Sequence, residues 1–183
     1  MARLCNLQKT RILTFQQKDD MECIIRPYKE QDLDPIVNLS LLAWEPVFES
    51  FEKVLGSKIY PILYPDWRKS QAEGVGDVFK KGEKFTTLVA EFGDSVVGFI
   101  SYSLNRDDKS GEVVLLAVHP DFQNHEIGTD LNRAALDAMK QAGMRLAVVG
   151  TGGEDGHAPA RRSYEKAGYT GLPLVRYYKK IDN

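Results

Sequence analysis

The sequence has few residues of the kinds that cross-link a fold or bind metal. Its 183 residues include two cysteines, Cys5 and Cys23, and three histidines. Two thiols without a neighbouring histidine cluster argue against a disulfide framework and against a zinc site of the usual spacing. They favour a reducing compartment, so we expect a cytoplasmic protein that holds no metal.

The chain also lacks a large charge of either sign and a long apolar run. Its net charge is −2, so nothing predicts a general attraction to nucleic acid or to an anionic membrane surface. No run approaches the roughly 20 apolar residues needed to span a bilayer. The N-terminal stretch MARLCNLQKTRILTFQQKDD has no signal-peptide core, because charged residues interrupt it at 9–11. We therefore expect neither nucleic acid nor a membrane as a partner.

The residues that are present suit a single globular domain. Hydrophobic residues make up 43% of the chain and charged residues 27%, as in ordinary globular proteins. A chain of 183 residues is long enough for one well-packed α/β domain and short for two. Recognisable pattern begins at Glu22. We predict an N-terminal extension at 1–20, whose order the sequence leaves open, and a single domain at 21–183.

Hydrophobic periodicity predicts the order of strands and helices. Runs of β-branched and aromatic residues predict strands at 22–28, 84–92, 95–104, 111–120, 145–149 and 174–181. Apolar residues at helical spacing predict helices at 30–44, 127–143 and 158–168. Prolines interrupt the aromatic-rich region 45–82, so it is predicted to be irregular, with helical pieces near 47–55 and 66–80. This order favours a mixed sheet that is antiparallel at first and has a parallel pair about the long helix.

The stretch VHPDFQNHEIGTDL at 118–131 leaves the third strand of an antiparallel meander and enters a helix. A strand that feeds directly into a helix leaves the first N–H groups of the helix unpaired and aimed at the loop. Together with the helix dipole, these groups form a site for phosphate. Gly128 permits close approach of a ligand or of another backbone. By itself, the loop also fits a plain connector.

Two motifs resemble those of the GNAT (Gcn5-related) N-acetyltransferase superfamily. LLAVHPDFQNHEIGTDL is similar to the family's apolar strand followed by V-x-P and Q/R-x-x-G-x-G/A, although Glu126 stands where the first glycine is usual. HAPARRSYEKAGY at 157–169 resembles N-x-x-A-x-x-x-Y-E-K-x-G-F/Y, with His157 in place of the asparagine. The resemblance covers about 22–181, and two motifs at the right separation are more specific than either alone. It implies the GNAT acyl-CoA N-acyltransferase fold, an α/β (α+β) domain. Its central sheet is mixed and mostly antiparallel, with a splayed parallel pair and helices on both faces.

The resemblance implies acetyl-CoA as co-substrate and a primary amine as acceptor. Backbone amides of the loop at 123–129 would receive the pyrophosphate, and the strand edge at 116–118 would pair with the pantetheine arm. The Val118 N–H would then stabilise the oxyanion that forms from the thioester carbonyl. The implied cofactor-binding residues are Leu116, Ala117, Val118, Gln123, Asn124, His125, Glu126, Ile127, Gly128, Thr129, His157 and Tyr164.

The chemistry requires a proton acceptor for the amine and a proton donor for the leaving thiolate. A free amine of the lysine type has a pKa near ~10.4 and is protonated at neutral pH. Tyr164 matches the family's tyrosine, which donates to the thiolate; from the residues alone it also fits an aromatic packed on the sheet. Glu112, which opens the catalytic strand, is the candidate base, and an ordinary strand-end acid is the alternative reading. His119 is the second candidate base. His157 either caps the tyrosine helix or contacts the cofactor.

The resemblance places the acceptor site roughly at 28–82, with contributions from 104–110 and 151–156. Five aromatic residues there either wall a pocket, belong to the core or form a homodimer contact: Trp44, Phe48, Tyr60, Tyr64 and Trp67. A small amine, a peptide N-terminus and a protein lysine all remain open as acceptors. The alternative function is a CoA-binding regulatory domain with weak or no transferase activity, motivated by Glu126 and His157. A purely structural domain is the third hypothesis.

Overall fold

The computed structural model describes residues 11–14, 22–80 and 84–181. Within these residues, six strands form one sheet in which each strand lies beside its neighbours in the chain. The strands are β1 (Arg11–Thr14), β2 (Glu22–Pro27), β3 (Phe85–Phe92), β4 (Ser95–Asn105), β5 (Ser110–Val118) and β6 (Leu146–Val149). The helices are α1 (Leu33–Leu63), α2 (Trp67–Lys80), α3 (Ile127–Gln141) and α4 (Ala158–Lys166).

The sheet is mixed, as the sequence predicts. Strands β1 to β5 pair antiparallel, whereas β5 and β6 pair parallel and are joined through α3. The parallel pairing covers only Ser110–Val113 of β5, because β6 ends at Val149. Beyond that point β5 continues to Val118 beside β4 alone. The predicted fold class is confirmed, including the parallel pair that separates.

A bulge interrupts β5 at Val114. Ser101 of β4 pairs with Leu115, whereas the next residue, Tyr102, pairs with Val113, so Val114 is the extra residue. A bulge bends its strand and shifts the alternation of side chains by one position. It lies directly after the last residue of β5 that pairs with β6, and it therefore helps to turn the two strands apart.

Helices cover both faces of the sheet and enclose two apolar clusters. On one face, α3 packs Ile127, Leu131, Ala135 and Met139 against residues of β2 to β5. On the other face, Ile36 and Leu39 of α1 and Val75 of α2 pack around Phe99 and Val89. The free thiol of Cys23 lies in the first cluster, and burial raises its pKa to about 11.

A buried guanidinium fixes the start of α1 against the sheet. Arg26 of β2 donates to both carboxylate oxygens of Asp32, at 2.7 and 2.9 Å, and its Nε donates to Glu91 of β3 at 2.8 Å. Asp32 also accepts from the Lys29 N–H at 2.7 Å. The hydrogen bond from Arg26 is the main reason that the pKa of Asp32 lies below its ordinary value. This network holds β2, β3 and the first turn of α1 in one arrangement.

The region 45–82 is more regular than predicted. Helix α1 continues past Pro46 and Pro61, each of which lacks a backbone N–H to donate, and it kinks at Gly56, where φ is 65° and ψ is 175°. Aromatic contacts across the α1–α2 turn stabilise it: Phe48 stacks on Trp67 at 4.3 Å between ring centroids, and Phe51 stacks on Tyr64 at 5.4 Å. Tertiary packing therefore overrides the local preference of proline to end a helix. The helical pieces at 47–55 and 66–80 are confirmed.

The predicted strand at 174–181 is wrong. Residues after Gly168 form an extended segment without strand pairing, in which Leu174 is 83% and Tyr177 is 89% exposed. A strand exists only where a neighbour completes its hydrogen bonds, and apolar alternation cannot supply that neighbour. Within the described ranges, β6 pairs with β5 only, and its Leu146 and Val148 are 60% and 43% exposed.

At the other end of the chain, most of the predicted extension at 1–20 lies outside the described residues. Residues Arg11–Thr14 pair with β2, so this part of the extension joins the sheet. None of the described helices combines the length and apolar composition that crossing a bilayer requires.

Candidate active site

A cavity of about 340 Å³ opens where β5 and β6 separate. Its walls come from β5, the loop before α3, the start of α3, the loop after β6, and one face each of α4 and α1. It forms one groove that runs from the β5–α3 loop at one end to α1 and α2 at the other, where Trp44, Val47 and Gln71 line it.

The free edge of β5 forms the floor of the groove. Leu116, Ala117 and Val118 pair with β4 on one side, and no described strand pairs with them on the other. Alternate residues of an antiparallel pair turn their backbone groups away from the partner strand, so the Leu116 N–H and C=O and the Val118 N–H are open to a ligand that lies along the strand, as in the addition of a strand to a sheet. All three residues line the cavity.

The loop before α3 is shaped to bind an anion. Gln123 anchors it by donating from Nε2 to the Val118 carbonyl at 3.2 Å. Asn124 and Glu126 both have left-handed backbone conformations, at φ 63° and φ 62°. Left-handed residues at a helix start turn successive N–H groups toward one point, and the helix dipole adds positive potential there. The loop therefore fits a phosphate through its backbone.

The structure shows how Glu126 is accommodated where the family usually has glycine. A left-handed conformation is the one that glycine adopts most readily, which accounts for the glycine expected at this position. Here the Glu126 carboxylate bonds Lys166 of α4, and this contact is the main cause that lowers the pKa of Glu126. The ion pair links the start of α3 to the end of α4 at one end of the groove. Both side chains are about half exposed.

Close contact between α3 and α4 closes this end of the cavity. Ser163 lies against Gly128, where an added Cβ would sit 3.5 Å from its Oγ. Asn132, which is fully buried, donates to the Gly128 carbonyl at 2.9 Å and to Ser163 Oγ at 3.0 Å. These contacts join the start of α3 to α4, and a Cβ at Gly128 would make only ordinary van der Waals contact with Ser163 and Val118. Arg162 and Lys166 follow on the same face of α4 and bring two cations to the groove.

Tyr164 projects from α4 into the middle of the groove. The side chain is 8% exposed and lies edge-on to Tyr169 at 5.8 Å between ring centroids. Burial raises the pKa of Tyr164 well above its ordinary value. The phenol therefore stays protonated at neutral pH, and its hydroxyl is a proton donor.

The loop after β6 brings an imidazole to the α1 end of the groove. His157 lines the cavity, and its Nδ1 is hydrogen-bonded to the carboxylate of Glu154. The ring also lies 5.8 Å from that of Phe51 on α1. The loop itself is held by Arg161, which donates to the carbonyls of Gly152 at 2.6 Å and Glu154 at 2.8 Å.

Most of the predicted site residues meet in this one cavity. Those that line it are Leu116, Ala117, Val118, Gln123, Asn124, Glu126, Ile127, Gly128, Thr129, His157 and Tyr164. His125 does not line it; its side chain is exposed on the loop. Of the five aromatics considered for the acceptor pocket, only Trp44 lines the cavity, and Phe48 is in the packed α1–α2 contact.

The two predicted bases lie outside the cavity lining. Glu112 is exposed and sits opposite Ser103 of β4 and Val148 of β6, below the point where the strands separate. His119 forms the turn after β5, where its Nδ1 accepts a hydrogen bond from the Asp121 N–H at 3.2 Å.

Sequence reasoning missed the lining residues Pro159, Arg162, Ser163 and Lys166. Their spacing of three and four residues along α4 is the signal that identifies them as one face of the helix, a different face from the one that carries Tyr164. Among the residues described, no group of three or more His, Cys, Asp or Glu side chains is placed to hold a metal ion.

Comparison with known proteins places these features in a family. The model of the Acetyltransferase (GNAT) family matches residues 56–169 of this chain. A search of curated proteins found no match. Solved structures share the fold at low identity. One is the PaiA N-acetyltransferase from Thermoplasma acidophilum with coenzyme A, at 17% identity, with 82% of this chain and 91% of that chain covered and a TM-score of 0.63.

Two further structures have the same fold. A GNAT family acetyltransferase from Brucella melitensis in complex with acetyl-CoA is 22% identical, with 86% and 92% of the two chains covered and a TM-score of 0.55. An aminoglycoside acetyltransferase from an uncultured soil metagenomic sample, in complex with sisomicin, is 18% identical, with 86% and 95% covered and a TM-score of 0.52.

Proposed function

This chain belongs to the GNAT acetyltransferase family, and on that premise we propose that it transfers acetyl from acetyl-CoA to a primary amine by direct attack, with Tyr164 as the general acid. The observation that carries the proposal is a single groove. It joins an anion-binding loop, an open strand edge, a buried phenol and a wall formed by α1.

The groove fits acetyl-CoA in three successive parts. The backbone amides of 124–129 and the cations Arg162 and Lys166 suit the pyrophosphate. The free edge at Leu116–Val118 suits the amide groups of the pantetheine arm. Tyr164 then lies where the arm would end, beside the strand edge. Acetyl-CoA brings an activated acyl group, and the protein supplies its position and the proton transfers.

Two groups of the chain stabilise the negative charge that develops on acetyl-CoA during the reaction. The Val118 N–H is placed to donate to the thioester oxygen as negative charge develops there. The Tyr164 hydroxyl donates its proton to the thiolate as the carbon–sulfur bond breaks. The raised pKa of Tyr164 keeps the phenol protonated at neutral pH, so that its hydroxyl can hydrogen-bond to the thiolate, and excludes a role as base.

The α1 end of the groove is the proposed acceptor entrance. Trp44, Pro46 and Val47 give it an apolar wall, and Glu154 beside it adds a negative charge that favours a cationic amine. A small-molecule amine is the first acceptor class to test, and a peptide amine is the second. One structural neighbour is an aminoglycoside acetyltransferase with sisomicin bound, which supports testing that class.

Two further proposals concern the setting of the reaction. A cytoplasmic location is proposed from the free, buried thiol of Cys23. The predicted homodimer is proposed from the exposed apolar side chains of β6 and of the C-terminal segment.

A thiol-release assay tests the proposal directly. Purified protein and acetyl-CoA are combined with a panel of aminoglycosides, polyamines, amino acids and peptides with free N-termini or lysines. Turnover with at least one amine, and mass addition of one acetyl group to it, is the expected result. Saturable binding of acetyl-CoA without turnover on the whole panel would instead favour the CoA-binding regulatory domain. The absence of any thermal shift at saturating acetyl-CoA would favour a structural domain.

A further inference from the structure

A paired acid and imidazole occupy the loop between β6 and α4. The Nδ1 of His157 bonds the Glu154 carboxylate, and both side chains are shielded, at 17% and 12% exposed. An ionised carboxylate only accepts hydrogen bonds, so in this pair Nδ1 carries the hydrogen. The other ring nitrogen, Nε2, then has a free lone pair and can take a proton.

The loop is built around this pair. Gly152 lies directly against it, since a Cβ there would be 2.6 Å from His157 Nδ1 and closer still to the Glu154 carboxylate. Gly156 lies against α1, where a Cβ would be 2.6 Å from the Val47 Cα. Arg161 holds the loop carbonyls from the α4 side. The imidazole is therefore fixed between α1 and α4.

The position of the pair along α4 places it at the acceptor end of the groove. Ser163, toward the far end of α4, contacts Gly128 of the anion-binding loop, whereas His157 precedes the first turn and contacts Phe51 of α1. Tyr164 follows His157 by seven residues, nearly two helical turns or about 10 Å of rise, on the same face. Helical side chains lean toward the N-terminus, so the phenol leans toward the imidazole and shortens this gap.

We infer that His157, oriented by Glu154, is the proton acceptor for the attacking amine; this inference rests on the proposed acetyl transfer. His157 Nε2 takes one proton from the amine, whose nitrogen lone pair forms the bond to the acetyl carbon. The carbon–sulfur bond breaks, and the thiolate takes the proton of Tyr164. The nitrogen loses its second proton as the amide forms, and that proton restores the phenol of Tyr164. The imidazolium returns its proton to solvent, which completes the cycle. His157 is a catalytic residue in this scheme, and Glu154 is a positioning residue.

Other groups fit this role less well. Glu112 is exposed and lies below the groove. In His119, Nδ1 accepts a hydrogen bond from the Asp121 N–H, so Nε2 of the neutral ring carries the hydrogen and cannot accept a proton. The titratable and charged groups packed around the pair come from three elements. They are Tyr64, which follows α1 and interacts electrostatically with Glu154, Arg161 of α4, and Arg176 and Tyr178 of the C-terminal segment, which interact electrostatically with Tyr64.

The test compares pH profiles of kcat/KM for the amine found with the panel. His157→Asn, which restores the residue usual in the family, is expected to lower kcat/KM by about 10²-fold or more at pH 7. The difference in kcat/KM between His157→Asn and the wild type is expected to be smaller at high pH, where the amine loses its proton to solvent. Acetyl-CoA affinity is expected to stay within about twofold, because the variant acts on proton transfer and not on the anion-binding loop.

Glu154→Gln gives an independent readout. It keeps the ring and a hydrogen-bond acceptor but removes the negative charge that stabilises the imidazolium. The acid limb of the profile is therefore expected to move to lower pH, with a smaller loss of rate than in His157→Asn. This variant also serves if His157→Asn fails to fold, as judged by circular dichroism.

Glu112→Gln is the competing test, since it removes the other candidate base, and its loss of kcat/KM at pH 7 is expected to be smaller than that of His157→Asn. The inference is overturned if His157→Asn turns over at the wild-type rate, or if its loss is the same at every pH and accompanies weaker acetyl-CoA binding. A large loss in Glu112→Gln with an unchanged Glu154→Gln profile would also overturn it. If the wild-type protein acetylates no amine, the proposed function itself fails, and this inference fails with it.

Discussion

Replacing Glu126 with glycine is expected to leave stability nearly unchanged. The residue lies at φ 62° and ψ −2°, a left-handed conformation that costs a residue other than glycine roughly 1–2 kcal/mol. Glycine removes that cost but loses more backbone entropy on folding, on the order of 0.5–1 kcal/mol. The exposed ion pair with Lys166 is also lost, at about 0.2–1 kcal/mol. These terms nearly cancel, so the melting temperature is expected to stay within about 4 °C of the wild type.

The same substitution is expected to leave acetyl-CoA affinity equal or higher. It removes a carboxylate beside the anion-binding amides and frees Lys166, which lines the same cavity. A single exposed charge interacts with a phosphate by about 1 kcal/mol, so affinity is expected to rise by up to roughly fivefold at low salt. The gain should fade as ionic strength rises, because salt screens exposed charges.

Isothermal titration with acetyl-CoA at two ionic strengths measures this effect. Lys166→Gln is the matched control: it breaks the same ion pair but leaves the carboxylate, so its affinity is expected to fall. A marked loss of affinity in Glu126→Gly, with Lys166→Gln unchanged, would refute the reasoning. It would mean that the Glu126 side chain itself supports the cofactor site.

Three further predictions concern the site and its supports. Tyr164→Phe is expected to lower kcat by ~10²-fold or more in the thiol-release assay with little change in acetyl-CoA affinity, and unchanged turnover would remove Tyr164 from the acid role. Gly156→Ala is expected to destabilise the fold by about 2 kcal/mol, because the new Cβ meets the α1 backbone; Gly153→Ala, with open space around it, is the control in chemical denaturation. Asp32→Asn is expected to cost about 2 kcal/mol at neutral pH, because it leaves the largely buried Arg26 with Glu91 as its one carboxylate partner. The folded-state pKa of Asp32 is depressed, so its contribution is present above the unfolded value of about 3.9 and is lost as pH falls through the folded-state value. The stabilities of the two proteins, measured by denaturation across acidic pH, should therefore converge below the folded-state pKa and not run parallel.

The parts of the fold that follow local patterns were predictable from the sequence. The meander of β3, β4 and β5 shows β-branched runs between short turns, and α3 shows an apolar face ended by Gly143. The course of α1 past Pro46 was not predictable, because contacts such as Phe48 with Trp67 join residues far apart in the chain. The unpaired segment after Gly168 was missed for the converse reason: its composition suits a strand, but no strand of the sheet receives it.

The candidate site divides in a similar way. Residues whose backbone holds the anion-binding loop follow from the loop's place between strand and helix, and the structure brings them into one cavity. The roles of Glu126 and Glu154 do not follow, because each depends on a partner that only the fold supplies. Lys166 is forty residues from Glu126. The role of Glu154 depends on its hydrogen bond with His157, which the fold holds between two helices.

The bulge at Val114 determines which β5 side chains face each side of the sheet, and therefore which residues should be substituted together. Before it, odd-numbered residues such as Val113 point toward α3; after it, even-numbered residues such as Leu116 do. Leu115 and Leu116 are thus identical in chemistry yet belong to different layers, one beside α1 and one beside α3. A library that varied β5 by simple alternation would mix the two layers in every member. Separate sets for the two halves of the strand would vary one layer at a time.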